Sequence, residues 1–530
     1  MPTSIATTAP STLESGRHSR FRLWLWTAIA LGAVALFYGI VFALNWPFTK
    51  QALIDTLQER SLRQVTIDHF RDTYFPPGCI AEGIRFLRIQ HKEKPPLITI
   101  RKLILEDSYP HLLTFQHRLN TVKVVGLHVT VPPKEPAGEP SPIMPLTYSN
   151  SRNSMVIDTI LADGAVLDLL SHVPHKPPVR IVVNRLELRH IGSNTPVTYK
   201  LTLQNSEPPG KIRSVGSWGP WDPKQPDATP VQGKYSYDNA NLSAFKEISG
   251  TLNSKGEFRG TLGHIAVNGT ADVADFQLKD TSHKRQLNTQ FQAVVNGTNG
   301  DVLLNRVTTA FNHTALLFEG SISAQKGASG KAVSLNVSSQ RARIEDLLNL
   351  FISAANPPMS GAITLHGHIG LPPGPDPFLD RLKIRGGFGM GGSKFTNKQT
   401  ERELARLSVS AIKGDKEEDR ENPQTVLSDV TGQVNAGQGT AHLSHISFQV
   451  PGAQASLEGT FGLIDHRANL HGVLVTKGNV SDATTGFKSF LVKAISPFFK
   501  KRRHAKIVPF KITGPYGKTS ISLNLESKKK

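Results

Sequence analysis

The chain has little of what most catalytic and disulfide-bonded proteins need. Among 530 residues there is one cysteine, Cys79, and 42 acidic side chains face 61 basic ones. A single cysteine excludes a disulfide framework within the chain. No HExxH, CxxC or GxSxG motif is present, and the carboxylates are scattered singly rather than in pairs. We therefore expect no catalytic residue, metal or cofactor, and we predict that the protein is not an enzyme.

Signatures of nucleic-acid binding are missing as well. The sequence has no arginine-rich helix, RNA-recognition signature or basic zipper, although its formal net charge is +19. Such a balance suits an anionic neighbour, and we expect anionic lipid headgroups rather than nucleic acid. The candidates for contact with a membrane surface are four consecutive basic residues, with a solvated turn as the alternative: Lys500, Lys501, Arg502 and Arg503.

Only one long hydrophobic run is present, Leu23–Leu44, and it contains no charge. A helix of about 22 residues spans a hydrocarbon layer of about 30 Å. Arg17, Arg20 and Arg22 precede the run and predict a cytoplasmic N-terminus. A cleaved signal peptide is the alternative, but its apolar core would be shorter. We predict an uncleaved single-pass anchor in a bacterial inner membrane, with the bulk of the chain in the periplasm.

Most of the remaining sequence alternates apolar and polar residues, which is typical of strands with one apolar and one wet face. Clear apolar positions, and our candidates for a lipid-binding groove, are Leu127, Val129, Val333, Leu335, Val337, Ile446 and Phe448. Short helices are predicted over Thr49–Arg63, Arg343–Ser353 and Gly486–Ile495. The predicted fold is mainly β: an elongated, curved antiparallel sheet that forms an apolar groove, with a few short helices and one N-terminal transmembrane helix.

The chain divides into five predicted regions: a cytoplasmic N-terminus (1–22), the anchor (23–46), an N-terminal β region (47–205), a middle β-groove region (206–410) and a C-terminal region with a short helix and a basic tail (411–530). Three stretches break the alternation and are candidate seams: Pro132–Pro145, Ser206–Gln232 and Lys413–Gln424. A faint internal repeat aligns Gly300–Gly320 with Gly439–Gly459 without gaps, which indicates a sheet that grows by repetition.

Two patterns imitate functional sites. Gly387–Gly392 satisfies G-x-G-x-x-G, but no helix is predicted to follow it, so we interpret the glycines as a strand bend rather than a dinucleotide site. His366 and His368 share one face of a strand, but no third ligand lies at metal-binding spacing. We interpret them as two histidines on the wet face.

The order of several short motifs resembles the AsmA family of bacterial envelope proteins. The motifs are Val65–Asp68 and Tyr74–Ile84 after the anchor and short helix, and later Val450–Ala453, Leu457–Phe461, Pro497–Lys501 and Val508–Gly514. The resemblance implies a single-pass inner-membrane protein with a groove-shaped periplasmic sheet. It also implies a bridge-like role in moving phospholipid toward the outer membrane, with no catalytic residues.

These observations lead to one main hypothesis and two alternatives. The main hypothesis is a non-enzymatic protein that binds or conducts phospholipid in envelope biogenesis, with the inner membrane as a partner and an outer-membrane protein as a further partner left open. The first alternative is a periplasmic scaffold whose sheet closes on its own core. The second is an anchored envelope hydrolase whose catalytic residues are distant in sequence.

Overall fold

The structure is a computed structural model of the whole chain. It describes residues 32, 39, 46–61, 63–88, 95–113, 118–131, 156–170, 178–192, 195–220, 225–245, 248–278, 283–325, 328, 330–351, 357, 359–396, 428–450, 453–476, 507–515 and 520–523. Of the predicted anchor Leu23–Leu44, only Gly32 and Gly39 are described, and both are helical. Within the described part, no helix is both long enough and apolar enough to cross a membrane.

Twenty-three strands make up most of the described chain. They are β1 Val65–Tyr74, β2 Pro77–Phe86, β3 Ile98–Glu106, β4 Arg118–Val131, β5 Val156–Leu169, β6 Val179–Ile191, β7 Val197–Ser206, β8 Pro209–Trp218, β9 Pro230–Asn241, β10 Ile248–Thr261, β11 His264–Leu278, β12 Arg285–Val295, β13 Val302–Phe311, β14 Thr314–Ala324, β15 Lys331–Arg343, β16 Met359–Leu371, β17 Lys383–Phe395, β18 Ser428–Gly437, β19 Thr440–Val450, β20 Ala453–Gly462, β21 Arg467–Thr476, β22 Ile507–Pro515 and β23 Ser520–Leu523. The prediction of a mainly β protein is confirmed.

All the strands belong to one open sheet in which each strand pairs with the next along the chain. At about 4.8 Å per strand, such a sheet extends on the order of 100 Å. The pairing is antiparallel except between β4 and β5, which run parallel. A parallel pair needs a crossover connection, and here the connection, residues 132–155, lies outside the described residues.

Four short α-helices accompany the sheet in the described part of the chain: α1 Lys50–Ser61, α2 Tyr109–Leu113, α3 Ile344–Phe351 and α4 Phe378–Arg381. Two single-turn 3-10 helices, Pro226–Ala228 and Leu242–Ala244, lie between strands. The predictions over Thr49–Arg63 and Arg343–Ser353 are confirmed as α1 and α3, whereas Gly486–Ile495 lies outside the described residues. The side chain of Thr49 caps α1 by accepting a hydrogen bond from the Ala52 amide at 3.2 Å.

The apolar core consists of two clusters on one face of the sheet. The N-terminal cluster joins Leu53 of α1 and the neighbouring Phe48 to strands β1–β4, where Ile84 is fully buried. The C-terminal cluster lies toward one end of strands β15–β22, on the long side of the sheet. It includes Ile363 and Phe510, and α3 packs against it. Each cluster forms where a helix can cover the strands, because a strand pair alone leaves its apolar side chains in water.

A bend in the first strands changes which residues reach the apolar face. On β4, Val122 and Val124 precede Gly126, and Leu127 follows it, yet all three valine and leucine side chains pack against the N-terminal cluster. Gly126 has φ +66°, a conformation that few other residues adopt, so the alternation shifts by one residue there. The shift places Leu127 on the apolar face together with Val124.

The internal repeat has a structural counterpart. Gly300–Gly320 covers β13 and most of β14, and Gly439–Gly459 covers β19 and most of β20. Both hairpins contain a register shift at aligned residues, between Leu304 and Val307 in one copy and between Leu443 and Ile446 in the other. The two copies are therefore hairpins of the same construction.

Two other sequence interpretations meet different outcomes. The G-x-G-x-x-G string Gly387–Gly392 lies inside strand β17, as expected for strand glycines. Contrary to the expectation for Ser206–Gln232, this stretch contains the complete strand β8, paired with β7 and β9. Pro209 is the first residue of β8, and the other prolines of the stretch lie outside this strand, where they interrupt none of its ladder bonds. The stretches Pro132–Pro145 and Lys413–Gln424 lie outside the described residues, and the five-region division stays a prediction.

Candidate functional site

One row of paired residues runs along the whole apolar face, and we call it the central row. Each member is the direct register partner of the next, from β1 to β23. Its members are Phe70, Ala81, Leu103, Val124, Ala162, Leu186, Leu201, Ser214, Tyr235, Gly256, Gly269, Phe291, Val307, Phe318, Val337, Gly367, Gly386, Val434, Leu443, Gly459, Leu470, Ile512 and Ile521.

Ser214 is the single member of the central row that is neither apolar nor glycine nor tyrosine. Its hydroxyl donates to the carbonyl oxygen of Lys234 at 3.0 Å and lies 3.0 Å from the hydroxyl of Tyr199. On the next strand pair, the Tyr235 hydroxyl lies 3.3 Å from the Ser254 hydroxyl. The hydroxyl groups on this face thus satisfy one another, which removes the cost of placing them beside an apolar ligand.

Aromatic rings lie across glycines at several points on the apolar face. The directly opposed pairs are Tyr199–Gly216, Tyr235–Gly256, Phe258–Gly233, Phe291–Gly269, Phe388–Gly432 and Phe510–Gly472. A Cβ atom added to Gly233 would lie 2.7 Å from the Cζ of Phe258. Glycine therefore lets each ring lie flat on the neighbouring strand, which protects the bare backbone and keeps the surface shallow.

The exposure of the central row changes along the sheet. In the first strands Ala81 is 0 % exposed and Leu103 is 5 % exposed, because α1 and its neighbours cover them. From Tyr235 on β9 to Leu470 on β21, every member is half-buried and none belongs to either core cluster. We call this part of the row, Tyr235 to Leu470, the open face.

The predicted groove residues all lie on the apolar face, but in different surroundings. Val337 is a member of the open face, and Val333 and Leu335 lie beside it on β15, half-buried. Ile446 is buried and Phe448 packs against the C-terminal cluster. On β4, Leu127 packs against the N-terminal cluster and Val129 is half-buried. The predicted basic membrane contacts, Lys500, Lys501, Arg502 and Arg503, lie outside the described residues.

A depression of about 1180 Å³ lies on the opposite, polar face of β14–β22. We call it the polar trough. On each strand its lining side chains are alternate residues, such as His366 with His368 and Ser456 with Glu458. Residues between them, such as Val337, contribute from the backbone side. Sequence analysis placed His366 and His368 on one wet face, but it could not bring them together with trough residues from distant strands, such as Glu458 and His471.

Two ionisable side chains, Asp168 and Cys79, have strongly shifted pKa values. The Asp168 carboxylate accepts hydrogen bonds from Arg180 at 2.7 Å and 2.9 Å, and the His128 ring nitrogen lies 2.9 Å away. The bond from Arg180 lowers the pKa of Asp168 to about 2. Burial in the N-terminal cluster raises the pKa of the Cys79 thiol to about 12, which disfavours the reactive thiolate.

Among the described residues, no three His, Cys, Asp or Glu side chains come together in a way that could hold a metal ion. The arrangement that remains is a long apolar surface on one side of the sheet and a polar trough on the other. No protein-family model, curated protein or solved structure matches the chain.

Proposed function

We propose that this protein binds the acyl chains of phospholipids on the open face and conducts them along the central row. In this proposal the protein is a non-catalytic factor of envelope biogenesis, anchored in a bacterial inner membrane with its sheet in the periplasm. One observation carries the proposal: an apolar row continuous in register over 23 strands and half-buried from β9 to β21.

The energetics of the open face suit a ligand that moves. Each methylene group removed from water contributes about 0.8 kcal/mol, so two tails gain enough to stay bound. Neighbouring positions along the row offer similar apolar contacts, with few polar atoms that would fix one register. An acyl chain can therefore shift from one strand to the next without losing specific hydrogen bonds. We also propose that the sheet is curved enough for the open face to enclose an acyl chain.

Adjacent residues on β15 provide the test. A photo-crosslinking amino acid is introduced at Val337, on the open face, or at Asn336, which is exposed on the polar face. The full-length chain is crosslinked in cell envelopes and purified, and covalently attached lipid is identified by mass spectrometry. We expect phospholipid at position 337 and none above background at position 336. Equal labelling at both positions would contradict the proposal.

A substitution pair asks whether the apolar surface is required. Leu335→Asp places a charge beside the central row, whereas Ser334→Asp places the same charge on the exposed polar face of the same strand. We expect Leu335→Asp to reduce co-purified phospholipid and vesicle-to-vesicle transfer severalfold, because a carboxylate on an apolar contact surface is costly. Ser334→Asp should behave as wild type. Circular dichroism checks that both variants fold.

A second candidate function rests on the N-terminal cluster, where the apolar face is already covered by α1. If other parts of the chain or a partner cover the open face in the same way, the protein is a periplasmic scaffold. The crosslinking experiment separates the two functions, because a scaffold would give protein adducts at position 337 in place of lipid.

A further inference from the structure

The polar trough contains two permanent cations, two carboxylates and a group of histidines. Its permanent cations are Arg385 and Lys511, and its carboxylates are Glu319 and Glu458. Four histidines complete its titratable groups: His366, His368, His445 and His471. Histidine ordinarily changes its charge between pH 5 and 8. The fixed charges of the trough cancel one another, so its net charge depends on the histidines.

Two sets of cross-strand neighbours within the trough have the same construction. Asn336, His368 and Arg385 are consecutive register partners on β15–β17. The Nδ1 of His368 lies 3.0 Å from the Oδ1 of Asn336, and its Nε2 lies 3.4 Å from the Ser334 hydroxyl. An acceptor on one strand thus orients the imidazole, and a guanidinium follows on the next strand.

The second set lies five strands away. Glu458, His471 and Lys511 are consecutive register partners on β20–β22, and the Nε2 of His471 lies 3.2 Å from a carboxylate oxygen of Glu458. Again an acceptor holds one side of the imidazole and a permanent cation stands on the other. An imidazolium beside a permanent cation is a favourable place for a phosphate group, which accepts several charge-assisted hydrogen bonds.

We propose that the polar trough is an acid-switched binding site for a soluble, extended polyanion that carries phosphate groups. The pairs His368–Arg385 and His471–Lys511 each take one phosphate. Five strand spacings separate the pairs by about 24 Å. A chain that reaches both pairs binds more tightly than a single phosphate, because its second contact is intramolecular. This site is on the face opposite the open face and does not depend on lipid binding.

Calorimetric titration of the full-length protein with inorganic polyphosphate and with pyrophosphate, at pH 5.5 and pH 8.0, tests the site. We expect polyphosphate to bind about tenfold more tightly at the lower pH, as two charge-assisted contacts imply. Pyrophosphate should bind weakly at both values. The double variant His368→Gln/His471→Gln should lose most of the pH effect, and Arg385→Gln/Lys511→Gln should weaken binding at both values.

The matched control is Lys200→Gln/Lys211→Gln, which removes two exposed cations outside the trough. It should keep both the affinity and its pH dependence. An equal loss in this control would show that polyphosphate senses only the net charge of the chain, and an unchanged pH effect in the histidine variant would also overturn the proposal. Binding to anionic vesicles through the same residues without polyphosphate binding would identify a membrane site instead. Leu335→Asp, on the other face, should leave polyphosphate binding unchanged.

Discussion

Strands β1–β4 and strands β9–β21 present the same apolar row to different surroundings. In the first group α1 lies over the row, and Ala81 and Ile84 are completely buried. In the second group the row members from Tyr235 to Leu470 stay half-buried, outside both core clusters. The backbone pairing is the same in both groups, so the difference comes from what covers the strands.

This difference indicates two roles for one face. A covered row behaves as an ordinary core, in which each buried side chain stabilises the fold. An open row leaves apolar area in water, which natural proteins rarely keep unless something binds there. The N-terminal cluster therefore has the character of a stabilising core, and our proposal places lipid binding on the open face.

The largest expected contrast is in the accessibility of thiols. Cys79 in the covered region should react with N-ethylmaleimide about a thousandfold more slowly than a free thiol, because burial raises its pKa to about 12 and only local opening exposes it. The rate is followed by mass spectrometry at pH 8. In a Cys79→Ser background, Asn336→Cys should react rapidly and Val337→Cys more slowly. Added phospholipid should protect only Val337→Cys; protection of both would break the comparison.

A matched pair of truncations should show a smaller contrast in stability. Ile84→Ala removes a fully buried side chain, and we expect the free energy of unfolding to fall by about 3–5 kcal/mol. Ile369→Ala, on the half-buried apolar face of β16, should cost about 1–2 kcal/mol because water already reaches this side chain. Urea unfolding followed by circular dichroism measures both. Equal losses would mean that the open face is packed as a core.

A third experiment concerns the hydrogen bonds that hold α3 against the sheet, beside the open face. The buried Asp346 carboxylate accepts hydrogen bonds from the Asn312 side chain at 3.1 Å, the His313 amide at 3.0 Å and the Thr314 hydroxyl at 3.0 Å. Asp346→Ala should lower the free energy of unfolding by about 2–3 kcal/mol, because three donors lose their acceptor and one of them, the Thr314 hydroxyl, is buried.

Hydrogen exchange of the α3 amides measures this loss locally, and binding of a hydrophobic dye reports any enlargement of the open face. Asp272→Ala, which removes an exposed carboxylate on β11, is the control and should change neither signal. Unchanged exchange in Asp346→Ala would show that α3 is held by its apolar contacts alone.

The smallest expected effect concerns pH and lies on β5, next to the covered region. The pKa of Asp168 is lowered to about 2 in the folded protein, whereas an ordinary aspartate has a pKa near 4. The ion pair therefore stabilises the fold fully at pH values above about 4. This contribution is lost as the pH falls from about 4 to about 2. Asp168→Asn should therefore lower the free energy of unfolding by only about 1 kcal/mol at pH 7, because its partner Arg180 is solvent-exposed. At pH 2 the substitution should have almost no effect.

Urea midpoints at pH 7, 4 and 2 measure the effect, with Asp163→Asn on the same strand as the control. If Asp168→Asn lowered the free energy of unfolding equally at all three pH values, the side chain would stabilise the fold through its shape rather than its charge.

Much of the fold could be predicted because alternation is a local property. The pattern around Val333 and Leu335 gives the strand, its two faces and the polar character of Ser334 without knowledge of its neighbours. The helix over Thr49–Arg63 was equally visible from leucines spaced along one side. The length of a strand and the position of a helix depend on neighbouring residues, so both can be predicted from the local sequence.

The continuity of the central row and the polar trough could not be predicted in the same way. Both depend on register, and register depends on bulges such as the one between Leu443 and Ile446. A shift of one residue at Gly126 reverses the face of every following side chain on β4. His368 and His471 are far apart in sequence, and only the register of the strands between them shows that they share one surface.

The repeated hairpins have a consequence for the reach of the molecule. Because each strand pairs only with the strands before and after it, inserting one more bulged hairpin would lengthen the path by about 10 Å without disturbing the rest. Duplication of a segment such as Gly300–Gly320 is therefore a simple evolutionary route to a longer sheet.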